Sequence, residues 1–303
     1  PPTNLLVGSV RVYKRQIEED PLPALGDYSS ASISLSGEYE LGRLWLAMYR
    51  GSTKEHSDPL MRTYLEDLIY RLSETSEVRD RRFEFIILED KTINAFAAPG
   101  GIIGINLGMF LNTEREGELA SVMCHELAHL SQRHFARSQN RNSPLANALM
   151  ILGSIAVAAA SRNPEAILIA PAAMQQMSIN YTRSNEKEAD RIGFNNLVKA
   201  GFDPNDMTMM FQRMQDKYQN EDSEQFSYLM TRPLPSERLT DMRIRADGLK
   251  NNSKNSFRDN LDFYLMQKRA QVWAEKDIKE LVNRFKKNLK SQNKNTELSN
   301  RYG

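Results

Sequence analysis

Two histidines four residues apart, with a glutamate directly after the first, form the group in this chain best suited to chemistry: His125-Glu126-Leu127-Ala128-His129. On a helix, positions i and i+4 lie one turn apart on one face, so two imidazoles at that spacing converge on a single metal ion. Zinc suits two imidazoles and a carboxylate, and it leaves a fourth position for water. One zinc ion per chain is therefore expected. Glu126 projects toward the open side of such a site and is the candidate catalytic residue, a general base acting on that water. The third donor has to come from elsewhere, and the best candidate is Glu186 in Glu186-Lys187-Glu188-Ala189-Asp190. Glu186 and Asp190 share a helix face, so one carboxylate can bind metal while the other takes the outer N–H of a ligand histidine. Glu188 lies about 200° around the helix from Glu186 and is expected to face away. Without the histidine pair upstream, the same stretch would read as a solvated helix face. His134 falls five residues past His129, on another face of a continuous helix, and is expected to be structural. Cys124 reads as a small buried side chain.

Elements that position these residues are visible in the hydrophobic pattern. Gly37 to about Ser73 is helical in two pieces, the second opened by Asp58 as N-cap and Pro59 in the first turn. Arg82–Leu88 alternates Phe83, Phe85 and Ile87 and reads as a strand. Asn94–Asn106 reads as a hairpin around Pro99-Gly100-Gly101. Thr113-x-x-Glu116 reads as a capping box that opens a long helix running to about Gln139. A further helix carries Glu186 and Asp190 and stops at Gly201, and Asp203-Pro204 caps the next. Beyond Pro233 and Pro235 another helix runs to Gly248. The tail from about Phe257 is helical, with Ile278, Leu281, Val282, Phe285 and Leu289 on one stripe. The sum is an α+β fold, mostly helical, with a small sheet or hairpin beside the helix that carries the histidines.

Composition narrows the functional classes. Lys plus Arg is 40 and Asp plus Glu is 39 in 303 residues, a formal charge of +1. That balance argues against a general nucleic-acid binder, and no nucleic-acid partner is expected. A hydrophobic share of 40% supports a packed core. A single cysteine excludes an internal disulfide and any cysteine-rich metal site. The apolar stretch Leu145–Ala160 is shorter than a spanning helix needs and carries Asn147 and Ser154, and a second run, Ala166–Met174, is interrupted by Pro171. Both read as helices buried in protein or lying on a greasy surface.

Taken together, HExxH at 125–129, the ExxAD run at 186–190 and Asn94-Ala95-Phe96-Ala97 ahead of Pro99-Gly100-Gly101 resemble the M48 family of zinc metallopeptidases. Within it the likeness is to the periplasmic β-barrel assembly-enhancing protease group, supported by the stretches AGFDP and RPLPSERL. The resemblance implies a zincin-like fold, with His125, His129 and Glu186 as zinc ligands, Glu126 as catalytic base and Asp190 behind a ligand. It implies that Asn94, Ala95, Phe96 and Ala97 supply an edge strand on which an extended substrate adds by main-chain hydrogen bonds. It further implies a periplasmic location with the signal peptide removed. The activity implied is cleavage of misfolded or misassembled outer-membrane proteins, with the barrel assembly machinery as a partner. Residues 145–174 match the region near the active-site cleft in relatives, where two roles stand open: gating the cleft, or peripheral contact with a membrane.

On this basis residues 1–30 are expected to be a strap or linker and 31–255 the peptidase domain. Residues 256–303 are expected to be a C-terminal helical segment, the stub of a tetratricopeptide-repeat domain. The chain departs from the family in one loop: Arg232-Pro233-Leu234-Pro235 stands where such proteases carry a histidine that covers the zinc. A guanidinium does not ligate zinc, so Arg232 reads either as an exposed loop arginine or as a residue that pairs with Glu126 or Glu186 or steadies a developing oxyanion. The rival function is a chaperone-like quality-control or assembly factor whose zinc site is structural or latent.

Overall fold

The computed structural model describes residues 33–139, 181–220, 236–249 and 260–292. Ten helices and three strands are found among them: α1 (Leu35–Ser52), α2 (Pro59–Glu74), β1 (Glu84–Leu88), β2 (Ala95–Ala98), β3 (Ile102–Asn106), α3 (Leu107–Asn112), α4 (Glu116–Ser131), α5 (His134–Gln139), α6 (Arg183–Lys199), α7 (Asn205–Asn220), α8 (Ser236–Leu249), α9 (Leu261–Ala274) and α10 (Ile278–Gln292). This is the α+β, mostly helical arrangement that the hydrophobic pattern predicts.

The sheet has the order β1-β3-β2, with β1 parallel and β2 antiparallel to β3. The hairpin turn works because Gly100 and Gly101 both adopt φ of 77°, a backbone region that a side chain would strain. Arg43 of α1 donates to the Gly100 carbonyl at 2.7 Å and ties the turn to that helix. Both faces of the sheet are covered. Phe85, Ile87, Ile103 and Ile105 face the main core with α2 and α4, while Ile86, Ala98 and Ile102 pack on Trp45 and Leu46 of α1. The alternation expected at Phe83, Phe85 and Ile87 is present, but Ile86 on the opposite face is fully buried too.

Several local expectations hold. Asp58 caps α2 by accepting from the N–H groups of Leu60 and Met61. Gly201, at φ 87°, ends the helix carrying Glu186. The capping box does not form. Thr113 turns its hydroxyl back to the Met109 carbonyl at 2.9 Å, closing α3. Glu116 is buried under the Tyr64 hydroxyl, the Asn260 amide and Arg71. The capping bond comes from Glu118 instead, whose carboxylate accepts the Glu114 N–H at 2.7 Å. Nor is the helix continuous to Gln139. It stops at Ser131, Arg133 takes φ of 50°, and a short helix restarts at His134.

Helix α9 sends Phe263, Met266 and Ala270 into the main core, and Gln267 donates to the carbonyl of Phe110 at 3.2 Å. The division expected at residue 256 therefore coincides with no break in packing: α9 and the helices before it share one interior. On α10, Leu281 is buried whereas Ile278 and Val282 of the expected stripe are exposed. No described helix is long and apolar enough to cross a membrane. The strap at 1–30, the apolar region 145–174 and Arg232 lie outside the described residues.

Candidate metal centre

Helix α4 is buried on every side from Glu116 to His129, pressed between α6, α7, α2 and strand β2. A helix so enclosed cannot rotate to expose its histidines, and its charged groups have to be matched locally. Helix α6 crosses it closely because Gly193 has no side chain. A Cβ there would sit 2.9 Å from the His125 nitrogen, 3.0 Å from its Cα and 3.1 Å from the Cys124 carbonyl carbon. That contact brings the Glu186 carboxylate over the two imidazoles.

Three donor groups meet at one point. Nε2 of His125 and Nε2 of His129 lie 3.0 Å apart. Oε2 of Glu186 is 3.4 Å from the first and Oε1 is 3.5 Å from the second. The three residues are the one group of three or more metal-ligand types that converges among the described residues, with ligand atoms all within 4.8 Å of one another. For a tetrahedral zinc with bonds of about 2.0–2.1 Å, ligand atoms stand about 3.3 Å apart. The separation of the two imidazoles, and that of each from one Glu186 oxygen, come close to that requirement, and the donor set of two imidazoles and a carboxylate is one zinc accepts. All three side chains are buried, as is Glu126 beside them.

The outer nitrogens are held as well. Nδ1 of His125 lies 3.0 Å from Oδ1 of Asp190. Arg238 grips the same carboxylate in a two-pronged contact at 2.6 and 2.7 Å, and it reaches Glu186 at 3.4 Å. Burial opposes a charge on His125, yet Asp190 and Glu186 outweigh it and raise its pKa. Burial likewise opposes ionisation of Asp190, but His125 and Arg238 hold its carboxyl below the usual range. His129 is stacked on Tyr181, ring centroids 4.2 Å apart. A cavity of about 200 Å³ runs from His129, Tyr181 and Phe135 to Pro99 and Gly100 at the end of β2.

Residues 59–246 match the family model for peptidase family M48. The chain belongs to peptidase family M48. Among its relatives, the β-barrel assembly-enhancing protease of Escherichia coli strain K12 is 36% identical over 260 residues, 83% of this chain and 52% of that protein. A Vibrio cholerae chain provisionally given the same name is 41% identical over 236 residues, 76% of this chain and 48% of its own length. The mitochondrial metalloendopeptidase OMA1 of Schizosaccharomyces pombe is 25% identical over 241 residues, 78% of this chain and 68% of that protein. This M48 chain spans about half the length of the bacterial relatives it matches.

Of the residues singled out by sequence, His125, His129, Glu186 and Asp190 come together as described, and Glu126 lies within the same buried turn of α4. Ala95, Phe96 and Ala97 lie in β2, and Asn94 precedes it, its carbonyl accepting the Asn106 N–H at 2.9 Å. No strand pairs with the outer edge of β2 among the described residues.

Two features escape the sequence reading. Arg238 is 3% exposed and shares a helix face with Met242 and Ala246, so an arginine on an apolar i, i+4, i+8 stripe was the available sign of a buried acidic partner. His134 is the other. Glu188, although turned from Glu186, does not face open solvent. It meets His134 at 3.1 Å and Arg137 at 3.0 Å.

Proposed function

We propose that this chain is a zinc-dependent endopeptidase of the bacterial envelope that hydrolyses misfolded or misassembled outer-membrane proteins. The observation that carries the proposal is the convergence of His125, His129 and Glu186, whose ligand atoms all lie within 4.8 Å of one another, next to the buried Glu126. Zinc, when bound by those three side chains, supplies Lewis-acid polarisation of the scissile carbonyl and acidifies water. Glu126 takes the proton from the attacking water on its carboxylate and returns it to the leaving amine. Asp190, itself clamped by Arg238, keeps the His125 ring oriented and its Nδ1 protonated, so that Nε2 presents its lone pair.

The open edge of β2 receives an extended polypeptide by main-chain hydrogen bonds, and the cavity between His129 and Pro99 takes a side chain of that segment. Backbone recognition of this kind selects extended, unfolded chain over folded protein. The bacterial relatives' name, β-barrel assembly-enhancing protease, supports barrel assembly as the setting; the periplasm as location, outer-membrane barrel proteins as substrates and the assembly machinery as a partner belong to the proposal.

The test compares the protein with Glu126→Gln for zinc content and for cleavage of casein and of an unfolded outer-membrane barrel protein. Both forms are expected to hold one zinc. The variant is expected to lose ~100-fold or more in turnover. Equal turnover by the two forms would overturn the assignment of the base, and absence of zinc from both would overturn the metallopeptidase reading.

A further inference from the structure

We infer that His134 and Glu188 form a positioning relay for His129, doing for that imidazole what Asp190 does for His125. The inference rests on the zinc reading above and extends it to His134, outside HExxH, and to Glu188, at an unspecified position of the ExxAD run.

Each ring of the histidine pair has one nitrogen in the metal triangle and one pointing out. The outer nitrogen of His125 has a carboxylate beside it. That of His129 has another imidazole: Nδ1 of His134 lies 2.9 Å from Nδ1 of His129. Such a contact holds only if one of the two nitrogens carries a hydrogen and the other does not. With Nε2 of His129 turned into the triangle as an acceptor of metal, its Nδ1 carries the proton and donates to His134. Nδ1 of His134 is then the acceptor, so its hydrogen sits on Nε2. That nitrogen lies 3.1 Å from Oε2 of Glu188 and donates to it. Arg137 donates to the same oxygen at 3.0 Å and keeps the carboxylate in place. The chain of donors has one consistent direction, from His129 through His134 to Glu188, and it forces Nε2 of His129 to be the metal-facing nitrogen.

The two sides of the site match. His125 is backed by Asp190, and Asp190 is clamped by Arg238. His129 is backed by His134, then by Glu188, and Glu188 is clamped by Arg137. The break in the helix makes the second arrangement reachable. On an unbroken helix His134 would project away from His129. Arg133, with φ of 50°, turns the chain so that α5 brings His134 back. Its side chain secures the bend through Glu38 at 3.0 Å and through the Ile33 carbonyl. A left-handed backbone of this kind is strained for a residue other than glycine and has to be held by its surroundings. His134 has no exposed surface, so it is a buried imidazole whose two nitrogens are both engaged toward the site.

The experiment measures zinc affinity by competition with a chromophoric chelator. It uses the full chain and the variants His134→Leu, Glu188→Leu and Glu188→Gln, and records the melting temperature of each without zinc. His134→Leu is expected to bind zinc ~10–100-fold more weakly. Glu188→Leu should weaken it in the same direction. Glu188→Gln, whose amide oxygen still accepts from His134, should recover most of the loss. A residue that merely fills space would lower the zinc-free melting temperature and leave the affinity alone.

The relay is overturned if His134→Leu binds zinc within ~twofold of the unchanged protein. Should His134→Leu not fold, the half-exposed Glu188 decides by the same criterion: equal affinity in Glu188→Leu overturns the relay. Failure of the unchanged protein to bind zinc would instead overturn the reading on which the relay rests.

Discussion

Replacing Gly193 by alanine tests whether the close crossing of α4 and α6 sets the metal site. The added Cβ would stand 2.9 Å from the His125 nitrogen, 3.0 Å from its Cα and 3.1 Å from the Cys124 carbonyl carbon, whereas ordinary contact begins at 3.4 Å. All three neighbours are backbone atoms of a buried helix, so no rotamer change relieves the clash. The helices have to part by about 0.5 Å, the shortfall between 2.9 and 3.4 Å. Zinc–ligand bonds tolerate only about ±0.2 Å. Parting of that size draws Glu186 away from the two imidazoles by more than the bonds allow.

Overpacking of a core costs about 1–3 kcal/mol, from which the better helix propensity of alanine returns about 1 kcal/mol. Zinc-free Gly193→Ala is therefore expected to be destabilised by roughly 0–2 kcal/mol in urea unfolding, while zinc affinity falls ~10-fold or more. Gly248 on α8 is the control. A Cβ there meets nothing within 4 Å, so Gly248→Ala should gain about 0.5–1 kcal/mol and leave zinc binding unchanged. If Gly193→Ala bound zinc as tightly as the unchanged protein, the claim that this crossing fixes the ligand distances would be refuted.

Three further outcomes are expected. Arg238→Leu removes the cation from a buried cluster and leaves Asp190 and Glu186 uncompensated, which should cost about 3–5 kcal/mol in zinc-free urea unfolding, with part of it restored by zinc. Asp206, 1% exposed, has its pKa pushed up by burial from 3.8 to about 7. Between those values the folded chain holds a proton that the unfolded chain has released, so this group's contribution to stability falls as pH rises, by roughly 4 kcal/mol across the window. Asp206→Asn should remove that slope, giving a stability gain over the unchanged protein that grows from pH 4 to pH 8; parallel pH profiles would refute it. Arg232→His places a nitrogen ligand where a guanidinium stands, and it is expected to suppress casein cleavage while the zinc content stays at one per chain.

The parts of this molecule legible in sequence are those whose geometry is local. His125 and His129 sit one turn apart on any helix, and so do Glu186 and Asp190, so each pair announced a shared face before its helix had a place in the fold. Asp58-Pro59 and Gly100-Gly101 are likewise readable, because a cap and a turn are decided within a few residues. The helix break at Arg133 is different. Nothing in Ser131-Gln132-Arg133-His134 signals a left-handed residue, and the bend persists through contacts with Glu38 and Ile33, about a hundred positions away in the chain. Because of that bend His134, which a continuous helix puts on another face, meets His129. The capping box failed through competition: Glu116 has stronger partners in Tyr64 and Arg71 of α2 and in Asn260, drawn from two distant stretches. Arg238 escapes the sequence because, although it sits on an apolar stripe, its partner can be named only once α8 has docked on α6.

The candidate metal centre draws its parts from three distant stretches of chain: the imidazoles at 125 and 129, the carboxylates at 186 and 190, and the guanidinium at 238. None of these stretches alone can grip a divalent ion in the required shape. On the proposed reading a half-made or unravelled copy lacks the site, since the cluster exists only after α4, α6 and α8 have closed on one another. If its substrate is unfolded polypeptide, as proposed above, that dependence works as a safety catch: the molecule becomes dangerous to loose chain only once it has ceased to be loose chain itself.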